Sequence, residues 1–136
     1  MKKNKKFNSV LSGIRITLPA LNKTYEIQKK VANVGFDYIN NKKALNKVQE
    51  ELNELKKELN KKNKKNIKEE LGDLIFAVID LSRKLKYNPE IILSKASLKF
   101  SKRFKFIEKQ LIKENKQINK TNIKYLEKLW SKSKQI

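Results

Sequence analysis

Two short acidic segments with nearly the same sequence constrain this chain more than any other feature. Residues 50–55 read EELNEL and residues 69–74 read EELGDL. In both segments, an acidic residue lies one position before the first leucine and another lies two positions after it. The midpoint between the two segments is near Lys62, in a stretch rich in lysine and asparagine. An antiparallel helical hairpin that turns there would bring both acidic segments to the same height.

Hydrophobic residues recur at steps of three and four on both sides of that turn, which is the period of an amphipathic helix. Helices are predicted over residues 41–59 and 66–86, with residues 61–66 as a polar turn between them. Three further helices are predicted. The first is capped by Thr17 and ends at Gly35, the second begins at Asn88, and the third covers residues 121–134. Two prolines and three glycines are too few for the turns of an all-β chain. The sequence therefore predicts an all-α protein, a four- to five-helix bundle with the acidic hairpin at its centre.

Length and composition limit the class of protein. A chain of 136 residues fits one compact domain, and we expect a basic lead-in over residues 1–16 and a single helical domain over residues 17–136. The sequence contains no cysteine and no histidine, so any metal must be held by oxygen atoms. The longest apolar run, residues 74–79, is far shorter than the roughly 20 residues of a membrane span. We expect a soluble cytoplasmic protein without a membrane partner.

The net charge of +20 suggests nucleic-acid binding, since clustered basic residues release counterions from a phosphate backbone. However, the basic residues are nearly all lysines, and the arginines are Arg15, Arg83 and Arg103. Recognition surfaces usually favour arginine for bidentate contacts. Compositional drift toward lysine and asparagine is the preferred interpretation, and nucleic acid is a disfavoured partner.

The predicted hairpin brings four carboxylates together, those of Glu51, Glu54, Glu70 and Asp73. Two like charges about 4 Å apart repel by about 4 kcal/mol at an effective dielectric near 20. The acids could be exposed partners of nearby lysines, or they could bind a cation. The duplicated spacing favours the cation, and oxygen ligands select Mg²⁺ first and Mn²⁺ second, commonly together with substrate phosphates. The sequence predicts a metal site for a phosphate-bearing ligand.

Several residues outside the hairpin are further candidates for binding. Lys99 and Arg103 are one helical turn apart and could clamp phosphate oxygens. Trp130 either closes the helical core or stacks on a base. The aromatic residues Phe36 and Tyr38 either cover the next helix or line a pocket.

In their order and spacing, these motifs resemble the MazG-type nucleoside triphosphate pyrophosphohydrolases, which are all-α enzymes related to dimeric dUTPases. The resemblance is strongest to the C-terminal half of two-copy members, and it is carried by residues 18–21, 28–30, 34–37, 47–54, 69–76 and 99–104. It implies Mg²⁺-dependent hydrolysis of a nucleoside triphosphate to the monophosphate and pyrophosphate, in nucleotide-pool housekeeping or alarm-nucleotide turnover. It also implies a homodimer or a higher homo-oligomer.

The resemblance assigns roles to individual residues. The Mg²⁺ ligands would be Glu51, Glu54, Glu70 and Asp73. Glu50 would orient or deprotonate the attacking water, Lys99 and Arg103 would contact the triphosphate, and Trp130 would contact the base. The chain departs from the family at three positions: it has Tyr38 where tryptophan is common, Asp80 where asparagine is usual and Lys102 where arginine is usual. Asp80, Lys102 and Lys30 are additional candidate site residues.

Two other functions stay open at this point. One is a catalytically inactive, basic helical protein of the same fold that binds nucleic acid. The other is a structural dimerisation bundle in which the acids are merely surface residues.

Overall fold

The computed structural model describes residues 6–136, and within this range it contains helices and no strand. The helices are α1 (Ala20–Asn33), α2 (Asn41–Lys61), α3 (Lys64–Lys84), α4 (Pro89–Lys113) and α5 (Ile123–Ser133), with a 3₁₀ turn at Ile118–Lys120. The all-α prediction is confirmed. The chain divides into two compact units, of which the first ends at Ile91 and the second spans Ile92–Ile136. Part of the predicted basic lead-in, residues 1–5, lies outside the described residues.

Helix α1 begins later than the sequence predicts. Pro19 occupies the N-cap position in an extended conformation, with no side-chain cap, and its carbonyl accepts from Lys23 N at 2.9 Å. Thr17 therefore does not cap the helix, and that prediction is wrong. The predicted end is close to the observed one, because α1 ends at Asn33 and Gly35 follows with φ +98°, a conformation that favours glycine.

Helices α2 and α3 form the predicted hairpin, but their turn is shorter than expected. Asn40 caps α2 by accepting from Lys43 N at 2.9 Å. Lys62 then adopts a left-handed conformation (φ 58°), and Asn63 caps α3 by accepting from Asn66 N at 3.2 Å. The predicted six-residue turn is thus reduced to two residues, because lysine has a high helix propensity and the lysine run continues both helices. The two helices pack side by side, and α1 packs on α3.

The core of the first unit is small. Its buried side chains include Ala44 on α2 and Ala77 and Ile79 on α3. Gln28 on α1 is also buried, and its Nε2 donates to the carbonyl oxygen of Phe76 at 2.9 Å, which fastens α1 to α3. In contrast, much of the predicted apolar face of α3 is half exposed. The residues of this exposed stripe are between 40% and 55% accessible: Leu71, Ile75, Val78 and Leu85.

The second unit has its own core, formed where α5 packs on α4. Its buried residues are Ile107, Leu111 and Leu129, and the partly buried Phe106, Tyr125, Leu126 and Trp130 pack against them.

The starts of α4 and α5 are capped by asparagine side chains. Asn88 Oδ1 accepts from Glu90 N at 2.9 Å, and Pro89 is the first helical residue of α4, so the helix begins where the sequence predicts, directly after Asn88. Helix α5 is capped by Asn122, whose side chain accepts from Lys124 N at 2.7 Å. None of the helices formed by residues 6–136 combines the length and apolar character needed to cross a lipid bilayer.

Candidate metal centre

Three carboxylates meet at the middle of the α2–α3 hairpin. Glu51 on α2 and Glu70 and Asp73 on α3 each place one carboxylate oxygen so that all three lie within 4.8 Å of one another. Glu70 and Asp73 share one face of α3 because residues three apart are neighbours on a helix. The turn at Lys62 and Asn63 brings Glu51 opposite them. We call these three residues the carboxylate trio.

The fourth predicted ligand, Glu54, lies beside the trio and is not part of it. Its Oε1 accepts from Lys57 Nζ at 3.3 Å on the same helix. The Glu54 carboxylate nevertheless contributes to the raised pKa of Glu70, so its charge acts on the site.

The electrostatics of the trio favour a bound cation. Partial burial raises the pKa of Glu70, and the neighbouring carboxylates of Asp73, Glu51, Glu54 and Glu58 raise it further. Lys47 Nζ donates to Glu51 Oε1 at 3.0 Å, and this hydrogen bond raises the pKa of Lys47. Among the described residues, Lys47 is the only cation in an ion pair with the trio, so one lysine faces three carboxylates. The donor set consists of carboxylate oxygens alone and therefore fits a hard divalent cation.

Two glutamates flank the trio on α2. Glu50, the predicted base, is largely exposed, and its Oε1 lies 3.6 Å from Lys47 Nζ. Glu58 is only 13% exposed and accepts from Asn66 Nδ2 at 3.3 Å, which links α2 to α3 next to the turn. No role is predicted for Glu58 from the sequence. Its contact with Asn66 depends on the short turn, which was not predicted.

Asp80, the additional acid on α3, is engaged by an arginine. Its Oδ1 accepts from Arg83 Nε at 2.6 Å, and the same guanidinium donates from Nη2 to Asp37 Oδ1 at 2.7 Å. Asp37 also accepts from Lys84, and these cations, Arg83 first, lower the pKa of Asp37 to about 2. Asp80 is thus part of a separate ion-pair network and not of the trio. Sequence reasoning missed Asp37 and Arg83 as partners because no local pattern links residues so far apart.

A cavity adjoins the trio in the first unit. It has a volume of about 460 Å³, and its lining residues come from α1, the loop after it, α2 and α3: Gln28, Val31, Phe36, Asp37, Tyr38, Lys47, Phe76 and Asp80. Of the two roles considered for Phe36 and Tyr38, the structure therefore favours the lining of a pocket. Burial raises the pKa of Tyr38, and the charge of Asp80 raises it further. Lys47 connects the two features, because it lines the cavity and pairs with Glu51.

Lys30, another additional candidate, lies elsewhere in the first unit. It lines a different cavity of about 400 Å³, together with Arg15 and Tyr25. It is therefore not a lining residue of the cavity that adjoins the trio.

The predicted phosphate and base contacts lie in the second unit. Lys99, Lys102 and Arg103 are on α4, and Trp130 is on α5. The Trp130 ring centroid lies 5.1 Å from that of Phe100, and the Arg103 guanidinium carbon lies 5.7 Å from the Trp130 ring centroid. Trp130 thus packs against α4 and contributes to the core of this unit. This packing also places Arg103 on the tryptophan face.

The helices and the trio define an all-α protein with a carboxylate site built on a helical hairpin. A family model described as the MazG nucleotide pyrophosphohydrolase domain matches residues 39–111, which include the whole hairpin. The chain belongs to this MazG family.

Individual relatives extend the match over most of the chain. The chain is 37% identical over 132 residues to the nucleoside triphosphate pyrophosphohydrolase/pyrophosphatase MazG of Thermotoga maritima, covering 97% of this chain and 51% of the relative. It is 35% identical over 129 residues to the nucleoside triphosphate pyrophosphohydrolase of Escherichia coli K12, covering 93% and 49%. The chain therefore spans about half the length of these curated relatives.

Proposed function

We propose that this chain hydrolyses nucleoside triphosphates to nucleoside monophosphates and pyrophosphate, with Mg²⁺ or Mn²⁺ held by the carboxylate trio. The observation that carries the proposal is the convergence of Glu51, Glu70 and Asp73 within 4.8 Å, in a chain of the MazG family. The names of the T. maritima and E. coli relatives supply the reaction. Nucleotide-pool housekeeping or alarm-nucleotide turnover in the cytoplasm is the proposed setting.

Each site residue has a proposed role in this reaction. Glu51, Glu70 and Asp73 would hold the cation, and Glu54 would join them once its contact with Lys57 is broken. A divalent cation at this position supplies neutralisation of phosphate charge and a lower pKa for water. Glu50 accepts a proton from the attacking water, whose oxygen bonds to the α-phosphorus while the bond from that phosphorus to the leaving pyrophosphate oxygen breaks. Lys99 and Arg103, with Lys102 as an additional cation, offset the charge of the departing pyrophosphate.

A second copy of the chain is the proposed partner. The exposed stripe on α3 lies on one helical face, since residues at steps of three and four share a face. Exposed apolar surface of this kind is typical of a protein interface. Burial of the stripe against a second copy would make the protein a homodimer or a higher homo-oligomer.

The proposed reaction is tested by measuring pyrophosphate release from a panel of nucleoside triphosphates with Mg²⁺ and with Mn²⁺. We expect release by the wild-type chain and near-complete loss in Glu54→Gln and Asp73→Asn, with circular dichroism spectra unchanged. Glu69→Gln is the matched control, because Glu69 is exposed and lies outside the trio although it belongs to the same acidic segment. Full activity in either site variant would refute the assignment. A wild-type chain that turns over no nucleotide but binds DNA with a steep salt dependence would instead support the nucleic-acid-binding alternative.

A further inference from the structure

We propose that the cavity lined by Arg15 and Lys30 binds a small phosphate-bearing anion. This cavity of the first unit is formed by the segment before α1, by α1 itself and by Asn88, and we call it the basic cavity. No residue of the carboxylate trio lines it. The inference goes beyond the proposed function and does not rest on it.

The first argument is that two cations meet at the basic cavity. Arg15 belongs to the segment before α1 and Lys30 to the last turn of α1, and both line the cavity. Gly13, from the same segment as Arg15, is also a lining residue, and a Cβ built on it would lie 3.4 Å from Lys30 Nζ. The ammonium group of Lys30 therefore lies at the cavity itself, against the segment that carries Arg15.

The second argument is that neither cation has an anionic partner among residues 6–136. The lining includes one acidic residue, Glu26, and its carboxylate pairs with Lys29 Nζ at 2.9 Å. Unpaired cations are common in a chain of net charge +20, but here two of them share one concave site. A phosphate group would supply the counter-charge, and its oxygens accept strong hydrogen bonds from guanidinium and ammonium groups.

The third argument concerns the neutral groups and the size of the basic cavity. Asn88 Oδ1 accepts from Glu90 N at 2.9 Å, so the remaining polar atom of this amide is its nitrogen, which is a donor. Asn22 and Tyr25 add an amide and a hydroxyl group, which can also donate. The volume of about 400 Å³ lies in the range of small-molecule pockets. The lining thus offers charged and neutral donors to phosphate oxygens.

The experiment titrates the metal-free chain with inorganic phosphate and with pyrophosphate, and isothermal titration calorimetry measures the dissociation constants. Metal is left out so that no cation at the carboxylate trio binds the probe. We expect saturable binding, and a variant that combines Arg15→Gln with Lys30→Gln should raise the dissociation constant at least about tenfold, because it removes two charge-assisted hydrogen bonds. The two probes show whether the site takes one phosphate group or two.

A charge-matched variant is the control. Lys42→Gln combined with Lys43→Gln removes the same net charge from two exposed residues of α2 that do not line the basic cavity. Its dissociation constant should stay within about twofold of the wild-type value, because distant exposed charges are screened by salt. Circular dichroism checks that both double variants are folded.

A measurement on the wild-type chain locates the bound anion without any substitution. In ¹H–¹⁵N NMR spectra, the backbone amides of Gly13 and Asn22 should shift as the probe is added. The inference is overturned if neither probe binds, if the two double variants weaken binding equally, or if these amides do not shift. Pyrophosphate release enters none of these measurements, so failure of the proposed reaction would leave the basic cavity standing, and the reverse also holds.

Discussion

Arg83 donates from Nη2 to Oδ1 of Asp37 at 2.7 Å, although the two residues are 46 positions apart in the sequence. Asp37 lies in the loop after α1, and Lys84 Nζ lies 3.1 Å from its second carboxylate oxygen. These contacts hold the loop on α3. Since Tyr38 follows Asp37 directly and lines the cavity that adjoins the trio, the same contacts also position a wall of that cavity.

The first prediction concerns the stability that Asp37 provides. Its folded-state pKa is lowered from 3.8 to about 2, so its contribution is fully present above about pH 4 and is lost as the pH falls through about 2. Because the carboxylate is only 27% exposed and meets two cations, Asp37→Asn should lower the free energy of unfolding at pH 7 by about 2 kcal/mol. Urea unfolding at a series of pH values measures this, and the variant should lose less stability than the wild type between pH 4 and pH 2.

An exposed ion pair provides the control for Asp37. Glu26 contacts Lys29 at 2.9 Å, but both side chains are 41% exposed. Glu26→Gln should therefore change the free energy of unfolding by no more than about 0.5 kcal/mol. Equal effects of Asp37→Asn and Glu26→Gln would contradict the role assigned to Arg83.

The second prediction is that the carboxylate of Glu70 lowers the Tm in the absence of metal and is needed for metal to raise it. Without metal, Glu70→Gln should raise the Tm, because it removes a charge that its acidic neighbours repel. With Mg²⁺ or Mn²⁺ added, the wild-type Tm should rise and that of Glu70→Gln should not. Differential scanning fluorimetry over a metal titration checks both parts. Glu69→Gln should behave like the wild type, and a wild-type Tm that is insensitive to both metals would argue against the site.

The third prediction compares two glycines. Gly72 lies inside α3, and no described atom lies within 4 Å of a Cβ built there, so Gly72→Ala should stabilise the chain by about 0.5–1 kcal/mol. Gly35 has φ +98°, and Gly35→Ala should destabilise it by about 1–2 kcal/mol. Chemical unfolding measures both values. Destabilisation by Gly72→Ala would show that something outside the described chain approaches this position.

The fourth prediction concerns the exposed stripe on α3. A lysine at Ile75 or Val78 would place a charge in the proposed interface, and the dissociation constant of the oligomer should rise at least about tenfold. Sedimentation velocity over a concentration series measures this change. Ile16→Lys is the control, because Ile16 is 87% exposed and lies before α1. Loss of self-association in the control alone would place the interface elsewhere.

Much of the fold could be predicted from local patterns. Apolar residues at steps of three and four predicted the helices, and Asn88 predicted the start of α4. The meeting of Glu51 with Glu70 follows from equal offsets in two helices and a turn between them. These features depend on residues close in sequence or on a symmetry visible in the sequence.

Other features could not be predicted because they depend on tertiary position. Gln28 lies in one of the segments that carry the family resemblance, but its bond to the Phe76 carbonyl exists only because α1 lies on α3. The engagement of Asp80 by Arg83, which also contacts Asp37, likewise depends on where the loop after α1 lies. The short turn was missed because a lysine run is equally typical of a solvated loop and of a helix end.

The number of residues in the turn at Lys62 and Asn63 matters for function, because this turn sets how α2 and α3 are aligned. Surface turns are usually places where chains gain and lose residues during evolution without harm. Here, a turn of two residues holds the carboxylates of two helices at one height, so an inserted residue would shift one helix relative to the other and separate the carboxylates. Natural variants should therefore keep the number of residues between Glu51 and Glu70 even where the lysines themselves change.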